Sequence, residues 1–325
     1  MILILSNKWD LTVDFVVHEL RNREGNFLRI NTEDLASGQA TIRLPNLEIL
    51  VSKQGRVLDL TRSVKVIWNR RPGKPFDSVP PTAKPSLAIQ HFVNDQWFSW
   101  LEALQLISDV TWINHPQAND AMECKPRQLL LASRTGFRIP ETVFTNDPGE
   151  ARALAGKHGQ RLVAKALYSP LIEEPDKDSF VFTNEIDTAD LAPEEEIRLS
   201  PSIFQQSLRP KVDYRVTVVG ETVLPAEVQD QNGENCSHID WRTKKAGLNF
   251  SACSLPPEIE DMCRSYVKAG GLIFGAIDLV QHDGEFFFLE INPNGEWGWL
   301  QYPHGIPIAE ALCDMMISCD RNGKT

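Results

Sequence analysis

The sequence has few cysteines, no excess of basic residues and no long apolar run, and each shortage excludes a class of protein. Its six cysteines include no CxxC pair, which argues against a zinc site or a disulfide scaffold and favours a reducing compartment. The formal net charge of −11 argues against nonspecific nucleic-acid binding. No apolar run reaches the length of a membrane span, and the apolar N-terminus lacks the basic flank of a signal peptide. We therefore expect a cytoplasmic protein with neither a nucleic-acid nor a membrane partner.

Signatures of several enzyme classes are also missing. The loop after the first predicted strand lacks the GxGxxG pattern, so a dinucleotide site there is unsupported. The seven histidines show no HxxxH or HxH spacing, and no Ser/His/Asp or Cys/His arrangement is visible. These absences are consistent with chemistry that needs no covalent enzyme intermediate.

Strand and helix patterns alternate in the first third of the chain. An apolar run at 2–5 predicts a strand, and the next segment has apolar residues at helical spacing, namely Val13, Val16, Val17 and Leu20. The further predicted elements are strands at 27–31 and 64–69, a hairpin of 47–51 with 56–60, and a long helix at 89–107. This alternation predicts a parallel or mixed sheet with helices on its faces, in an N-terminal α/β domain of residues 1–115.

Two further domains are expected, a central one of residues 116–205 and a C-terminal one of residues 206–325. In the central domain, Asn119 or Asp120 can cap a helix that stops at Gly136, and Asp147 can cap the next helix. The other predicted elements are strands at 161–167 and 202–208, a hairpin turning at 220–221, a helix at 257–271 and a hairpin turning at 283–284. The whole chain is thus expected to be an α/β (α+β) protein.

The stretch FFFLEINPNGEWGWL contains a strand that reads as buried and ends in Glu290 and Asn292. A buried carboxylate is costly unless a partner compensates its charge. Residues two apart on a strand share a face, and the turn at 283–284 sets Asp278 roughly opposite position 289, beside Glu290 and Asn292. Two carboxylates and an amide oxygen suit Mg²⁺. A hydrogen-bonded turn next to an ordinary aspartate is the alternative.

Three cationic side chains are further candidates for a binding site. Lys165 lies among apolar neighbours of a predicted strand, so it needs an anionic partner unless it reaches solvent at the strand end. Asp213 and Arg215 share one face of another strand, where the arginine can bind phosphate or form an internal salt bridge with Asp213. Lys125, near a helix start, is the weakest candidate, because most such lysines are solvated.

The order of these features resembles the ATP-grasp superfamily over residues 112–295. The series runs from Lys125 and Lys165 through FQQSL and the Asp-x-Arg pair to the strand aspartate and Glu-x-Asn. A narrower resemblance, to the microviridin-type or graspetide peptide maturases, covers nearly the whole chain. It rests on the N-terminal segment 2–35, WNRRP at 68–72, HIDWR at 238–242 and INPNGEWGWL. The resemblance implies an ATP-grasp fold with a Rossmann-like N-terminal domain.

The resemblance also implies a role for each candidate residue. ATP would be held by phosphate-binding lysines, by an adenine hinge that reads Gln-Gln where the family usually has Gln-Glu, and by a ribose-side aspartate. Two arginines would contact the γ-phosphate and the acyl phosphate. The residues implied are Lys125 and Lys165 for phosphate, Gln205, Gln206 and Ser207 for the hinge, Asp213 for ribose, Arg215 and Arg242 for catalysis, and Asp278, Glu290 and Asn292 for Mg²⁺.

The reaction implied by the resemblance is a ring closure in a ribosomal precursor peptide. ATP would activate a side-chain carboxylate as an acyl phosphate, and a hydroxyl or amine of the same peptide would then form an ester or amide. The enzyme would bind leader and core, and would be a homodimer, as is common in this family. Two other possibilities stay open. One is a ligase that joins an amino acid to a peptide terminus or small molecule, and the other is a non-enzymatic ATP-binding module.

Two further segments are expected to serve the substrate. Arg70 and Arg71 end a strand, where doubly wound folds place ligands, so they should face the cleft rather than form a solvated loop. The acidic segment 170–200 is longer than ATP chemistry needs and should dock the leader of the peptide. A loop that merely covers the nucleotide is the alternative for this segment.

Overall fold

The computed structural model describes residues 1–53, 55–168, 171–172, 179–180, 183–187, 191, 193–230 and 247–322. Its strands are β1 (Ile2–Ser6), β2 (Phe27–Asn31), β3 (Gln39–Arg43), β4 (Glu48–Lys53), β5 (Arg56–Asp59), β6 (Val66–Asn69), β7 (Thr111–Ile113), β8 (Thr142–Thr145), β9 (Arg161–Lys165), β10 (Leu171–Ile172), β11 (Ser179–Phe180), β12 (Asn184–Asp187), β13 (Ser202–Gln206), β14 (Val212–Val219), β15 (Thr222–Asp230), β16 (Leu248–Ala252), β17 (Phe274–His282) and β18 (Glu285–Asn292).

The α-helices are α1 (Leu11–Asn22), α2 (Leu60–Ser63), α3 (Leu87–Glu102), α4 (Pro116–Glu123), α5 (Lys125–Arg134), α6 (Pro148–Lys157), α7 (Glu194–Leu199), α8 (Pro257–Ala269), α9 (Gly298–Gln301) and α10 (Ile308–Asn322). Short 3₁₀ turns occupy Thr32–Ser37, Pro81–Ala83 and Ala103–Leu106. Within the described ranges, no helix combines the length and the apolar character that crossing a bilayer would require.

The N-terminal part is built on a parallel sheet of strand order β2-β1-β6-β7. Helix α1 packs its apolar side on this sheet, and all four residues that carry its predicted helical spacing are buried. The side chain of Asp10 caps α1 by accepting the N–H of Thr12 over 3.0 Å. The strands β3, β4 and β5 form a separate antiparallel sheet, and its second hairpin is the one predicted at 47–60. The observed mixture of parallel and antiparallel sheets confirms the predicted α/β class.

Two antiparallel sheets follow the parallel one. The first has strand order β12-β9-β13-β8 and its own small apolar core with α6 and α7. The second has strand order β16-β15-β14-β17-β18, and α8 packs on one of its faces. Its last hairpin turns at Asp283 and Gly284, both of which have positive φ, as a two-residue hairpin turn requires.

The register of this last hairpin differs from the prediction. A strict count from the turn places Asp278 opposite position 289, but the structure pairs Asp278 directly with Glu290. The cause is a β-bulge: Leu279 pairs with Phe288, so Leu289 is an extra residue in β18. A bulge moves every later side chain of the strand by one position, and here it brings the two carboxylates side by side.

The predicted cap at Asn119 or Asp120 is wrong, because both residues lie inside α4. Proline is the signal that marks these helix starts: α4 begins at Pro116, and Pro126 lies in the first turn of α5. The predicted cap at Asp147 is correct, since its carboxylate accepts the N–H of Gly149 over 2.8 Å.

One apolar core joins the N-terminal part to the second antiparallel sheet. It contains residues of α1 and β1 together with α10, the buried Trp297 and Leu300, and Val219, Ala226 and Phe274 of the sheet. The parallel sheet and the strands β17 and β18 are therefore held in one packed body. The first antiparallel sheet contributes no residue to this shared core among the part of the chain that is described.

Candidate active site

One cleft lies between the two antiparallel sheets and has an open volume of about 620 Å³. Strands β9 and β13 contribute residues from one side, and β14, β17 and β18 from the other. The predicted site residues that line it are Lys165, Gln205, Gln206, Ser207, Asp213, Asp278 and Glu290. Residues separated by more than 100 positions in sequence thus meet at one place, as the order of motifs implied.

Lys165 ends β9 and reaches into this cleft. Its Nζ atom donates to Oε1 of Gln205 over 2.8 Å, and the amide nitrogen of Gln205 donates to Thr142 Oγ1 over 2.9 Å. Gln205 is buried, so its amide orientation is set by both contacts. The ammonium group of the lysine is thereby held at the cleft wall, where an anion in the cleft can meet it.

The residues predicted as the adenine hinge, Gln205, Gln206 and Ser207, lie at the end of β13. The backbone N–H of Gln206 donates to the carbonyl of Glu141 over 2.8 Å, so strand pairing uses this donor. The Ser207 hydroxyl donates to Glu185 of β12 in a short hydrogen bond. Glu185 is a residue that the sequence does not single out, because a carboxylate on an edge strand carries no distinguishing pattern.

Asp213 and Arg215 lie on one face of β14, as predicted, but they do not pair with each other. Asp213 is buried and accepts from Lys211 Nζ over 2.6 Å, whereas Arg215 Nη1 contacts Asp278 Oδ1 over 2.8 Å. The predicted alternative of an internal Asp213–Arg215 salt bridge is therefore wrong. Lys211 lines the cleft and is missed by sequence reasoning, although its signal is present: it stands two residues before Asp213, and so on the same side.

Four charged side chains form a row across the sheet. Arg215 on β14 is the register partner of Asp278 on β17, and Asp278 is the register partner of Glu290 on β18. Beyond the sheet edge, Lys125 of α5 donates to Glu290 Oε2 over 2.9 Å. The cations therefore flank the two adjacent carboxylates, so that each carboxylate has one cationic partner, which makes the burial of Asp278 and the partial burial of Glu290 tolerable.

The helix that carries Lys125 is fixed to the edge strand by Gln128, which sequence reasoning also misses. Gln128 is fully buried, its amide nitrogen donates to the carbonyl of Ile291 over 3.0 Å, and its Oε1 accepts the N–H of Ile291 over 3.2 Å. The side chain thus pairs with β18 as another strand would. This contact sets Lys125 within reach of Glu290, one residue before Ile291.

The donor set of Asp278, Glu290 and Asn292 fits a hard divalent cation. Glu290 and Asn292 are two apart on β18 and share a face, and the bulge puts Asp278 beside them. No group of three or more His, Cys, Asp and Glu side chains in the described residues is arranged as metal ligands, and the set here consists of two carboxylates and one amide. Two carboxylates and one amide match Mg²⁺ in particular, since this ion keeps water and substrate phosphate oxygens in its coordination shell.

A second cavity opens on the other side of the charged row. Arg215 and Asn292 belong to its wall, together with Arg71, Glu123, Phe250, Glu296, Trp299 and His304. Burial lowers the pKa of His304, which favours the neutral imidazole near pH 7, so the cationic side chains of this wall are Arg71 and Arg215. The two cavities meet at the predicted metal ligands.

Both arginines of WNRRP point to the loop that follows β18. Arg71 forms an ion pair with Glu296 and donates to the carbonyl of Asn294 over 3.1 Å. Arg70 is buried and contacts the same loop. The alternative of a solvated loop is wrong for this motif. Arg242, which the resemblance assigns to catalysis, lies outside the described residues.

A parallel N-terminal sheet, followed by two antiparallel sheets that enclose a cleft lined by lysines and carboxylates, is the architecture of the ATP-grasp ligases. The macrocyclase MdnC from Microcystis aeruginosa, in complex with its precursor peptide MdnA, matches with a TM-score of 0.83 and 24% identity over 98% of this chain and 99% of that one. An ATP-grasp ligase of Chryseobacterium gregarium, in complex with ADP and a leader and core peptide, matches with a TM-score of 0.84 and 24% identity over 98% and 96%. The chain therefore has the ATP-grasp ligase fold, as its sequence pattern implied.

Sequence comparison gives a weaker match. The chain is 26% identical over 209 residues to a probable alpha-L-glutamate ligase of Shewanella sp. strain MR-4. The match covers 61% of this chain and 65% of that relative. No protein-family model matches the chain.

A further structural match is the ATP-grasp ligase PsnB, with a TM-score of 0.77 and 20% identity, which has been solved with a minimal precursor, Mg and ADP.

Proposed function

We propose that this protein is an ATP-dependent ligase that forms ester or amide cross-links within a ribosomal precursor peptide. The observation that carries the proposal is the charged row of Arg215, Asp278, Glu290 and Lys125 between two cavities. One cavity is lined by hinge and lysine residues that suit a nucleotide, and the other is large enough for a peptide side chain. The overall likeness to peptide-bound macrocyclases supports the same conclusion.

In this proposal, ATP occupies the cleft between the antiparallel sheets. The adenine lies at Gln205, Gln206 and Ser207, the ribose near Asp213, and the phosphates near Lys165 and Lys125. Mg²⁺ bound by Asp278, Glu290 and Asn292 would neutralise charge on the phosphate oxygens. Lys125 would then have two partners: it forms an ion pair with Glu290 and would also contact the phosphates.

The peptide carboxylate reaches the row from the second cavity. One of its oxygens attacks the γ-phosphorus, ADP leaves, and an acyl phosphate is formed on the peptide. A hydroxyl or amine of the peptide then attacks the acyl carbon, phosphate leaves, and the proton of the nucleophile passes to solvent. Arg215, which forms part of the cavity wall beside Asn292, would stabilise the negative charge that develops in both steps, and Arg242 is proposed for the same task.

The leader is proposed to dock on segment 170–200. Part of this segment lies outside the described residues. In the described part, β10 pairs with β11 and α7 spans Glu194–Leu199. The first turn of α7 holds Glu194, Glu195 and Glu196, an acidic surface that suits a leader with basic residues. The cytoplasmic location expected from the sequence stays a prediction.

Incubation with a precursor peptide, ATP and Mg²⁺ tests the proposed reaction. The peptide should be the product of the short reading frame beside this coding sequence, with Thr, Ser or Lys and Asp or Glu in its C-terminal half. We expect the intact mass to fall by one water for each ring formed, with one ADP released per ring. An unchanged mass with all such peptides, while ATP is bound, would contradict the proposal and favour a binding module.

A second candidate is a ligase that adds an amino acid to a peptide terminus or a small molecule. The observation in its favour is the 26% identity to a probable alpha-L-glutamate ligase. The same assay separates the two functions, because an added residue raises the mass of the acceptor, whereas ring closure lowers it. Glutamate and ATP without precursor serve as the control incubation.

We also propose that the protein is a homodimer, and the surface of α3 supports it. This helix of 16 residues contains no buried residue, although a surface helix normally buries an apolar stripe. Four of its large apolar side chains are more than half exposed, namely Leu87, Ile89, Phe92 and Phe98. A second copy of the same helix, related by a twofold axis, would cover this surface with matching apolar groups.

Phe92→Glu is expected to convert the dimer to a monomer, because it places a charge among the exposed apolar side chains of α3. Size-exclusion chromatography with light scattering measures the result as a halved molar mass. Val57→Glu, which introduces the same charge at an exposed apolar position of β5, should leave the mass unchanged. A wild-type protein that is monomeric at all concentrations would refute the proposed dimer.

A further inference from the structure

Arg70 is a buried cation that the proposed chemistry does not use. It follows β6 at the carboxyl edge of the parallel sheet, where an open α/β sheet ordinarily binds its ligand, yet only 1% of its surface is exposed. Burial lowers the pKa of its guanidinium. A buried guanidinium is costly unless its N–H groups find partners, so the contacts of Arg70 indicate what its position serves.

The N-terminal contacts of Arg70 orient its guanidinium. Its Nε atom lies 2.9 Å from Asp10 Oδ2 and donates to Thr12 Oγ1 over 3.3 Å. Asp10 is itself fixed, because its other oxygen caps α1 through the N–H of Thr12. The guanidinium is therefore anchored to the start of a helix that packs in the core shared with the second antiparallel sheet.

The remaining nitrogens of Arg70 hold the loop that leaves β18. Nη1 donates to the carbonyls of Asn294 and Gly295 over 2.7 and 3.1 Å, and Nη2 lies 3.2 Å from Glu296 Oε1. This loop begins two residues after Asn292. One side chain from a distant part of the chain thus binds the carbonyls of two consecutive residues and forms an ion pair with the third, although Nη2 itself has no hydrogen-bond partner among the described residues.

Arg215 contacts the same loop from the other side. A β-carbon added to Gly295 would lie 2.8 Å from Arg215 Nη2 and 2.7 Å from the β-carbon of Ala276, so the backbone of the loop is packed against the charged row. The loop is therefore close to the guanidiniums of both Arg70 and Arg215. A shift of the loop would therefore disturb both the amide of Asn292 and the arginine that pairs with Asp278.

We propose that Arg70 is a positioning residue for the magnesium site, acting through the loop of residues 294–296. This inference rests on the proposed function. Mg²⁺ demands near-ideal octahedral geometry, so its ligands need a rigid support. Arg70 supplies that support by tying the end of β18 to the N-terminal part of the protein. Lysine cannot replace it fully, because a single ammonium group cannot reach the Asp10 carboxylate and two loop carbonyls in this planar arrangement.

Nucleotide binding with and without Mg²⁺ tests the inference in the full-length protein. The affinity for a non-hydrolysable ATP analogue is measured in EDTA and then at increasing Mg²⁺ for the wild type, Arg70→Lys and Arg70→Met. We expect the Mg²⁺ concentration for half-maximal enhancement to rise about tenfold in Arg70→Met and less in Arg70→Lys. The affinity in EDTA should stay at the wild-type value, because the proposed adenine and ribose contacts line the cleft between the antiparallel sheets, whereas the loop of residues 294–296 lines the second cavity.

Arg23→Met is the matched control. Arg23 also joins the N-terminal part to the C-terminal helix, through ion pairs with Glu19 of α1 and Asp314 of α10. Unlike Arg70, its side chain has its ion-pair partners on these two helices and not on the loop of residues 294–296. It should give the wild-type Mg²⁺ titration. If Arg70→Met does not fold, Asp10→Asn removes the charge that anchors Arg70 and should produce a shift in the same direction as Arg70→Lys.

Two outcomes would overturn the inference while the proposed function stands. One is a wild-type Mg²⁺ titration in the Arg70 variants, and the other is an equal loss of affinity with and without Mg²⁺. If the wild type itself shows no Mg²⁺-dependent nucleotide binding, the proposed function fails and the inference fails with it. These results are distinguishable, because the failure of the proposed function is read from the unmodified protein alone.

Discussion

Glu290→Gln is expected to lower the Mg²⁺-dependent rate of ADP release in the presence of precursor by about a hundredfold or more. The substitution keeps the shape of the side chain but removes one of the two carboxylate charges of the proposed metal site. It also removes the counter-charge of Lys125, whose Nζ atom lies 2.9 Å from Glu290 Oε2 in the unmodified protein. The rate is measured at saturating ATP across a range of Mg²⁺ concentrations.

Glu285→Gln is the matched control for this prediction. Glu285 lies on the same strand, carries the same change and forms an exposed ion pair with Arg138. Exposed ion pairs contribute little to stability, so this variant should retain the wild-type rate. Activity of Glu290→Gln close to that of Glu285→Gln, or activity indifferent to EDTA, would show that the pair of carboxylates is structural.

Lys165→Met is expected to lower ATP-dependent turnover by about a hundredfold or more while the fold is retained. Lys165 lines the proposed nucleotide cleft, where its Nζ atom donates to the side-chain oxygen of Gln205. The variant removes the charge that would stabilise the phosphates, and methionine keeps most of the apolar stem. Turnover and the affinity for ATP are measured together with thermal unfolding of the variant.

Lys157→Met makes the same change at the end of α6, where the lysine is exposed and pairs with Glu141. It should turn over at the wild-type rate. If Lys165→Met is equally active, Lys165 is a strand residue that merely packs at the cleft wall, and the assignment of the phosphate site is wrong.

The parts of the fold with strong local patterns can be predicted from the sequence. The predicted strand at 27–31 matches β2 to the residue, and the last hairpin turn lies at Asp283 and Gly284, where the Asp-Gly pair favours positive φ. The start of α4 escapes prediction, because the polar residues Asn119 and Asp120 resemble a cap while Pro116 is the true first residue. Capping patterns are short and occur by chance, so they identify a helix more reliably than they identify its first residue.

The candidate site also has a part that the sequence predicts and a part that it does not. The i, i+2 spacing of Asp213 with Arg215 and of Glu290 with Asn292 is enough to place each pair on one face of its strand. Their partners cannot be predicted from spacing: the alternative of an internal salt bridge with Asp213 is wrong, and Arg215 contacts Asp278 on a neighbouring strand. A partner on another strand depends on register, and the bulge at Leu289 changes that register by one residue.

By itself, the sequence determined the class of fold, most strands and helices, and the residue types that meet in the cleft. Periodicity, turn residues and the order of motifs are properties of short segments and need no knowledge of distant contacts. Only the tertiary structure decided that Arg215 pairs with Asp278, that Gln128 pairs with the edge of β18, and that Arg70 holds the loop after it. These contacts join residues that are distant in sequence or follow from side-chain packing, and packing of the whole core, rather than local preference, sets which of them form.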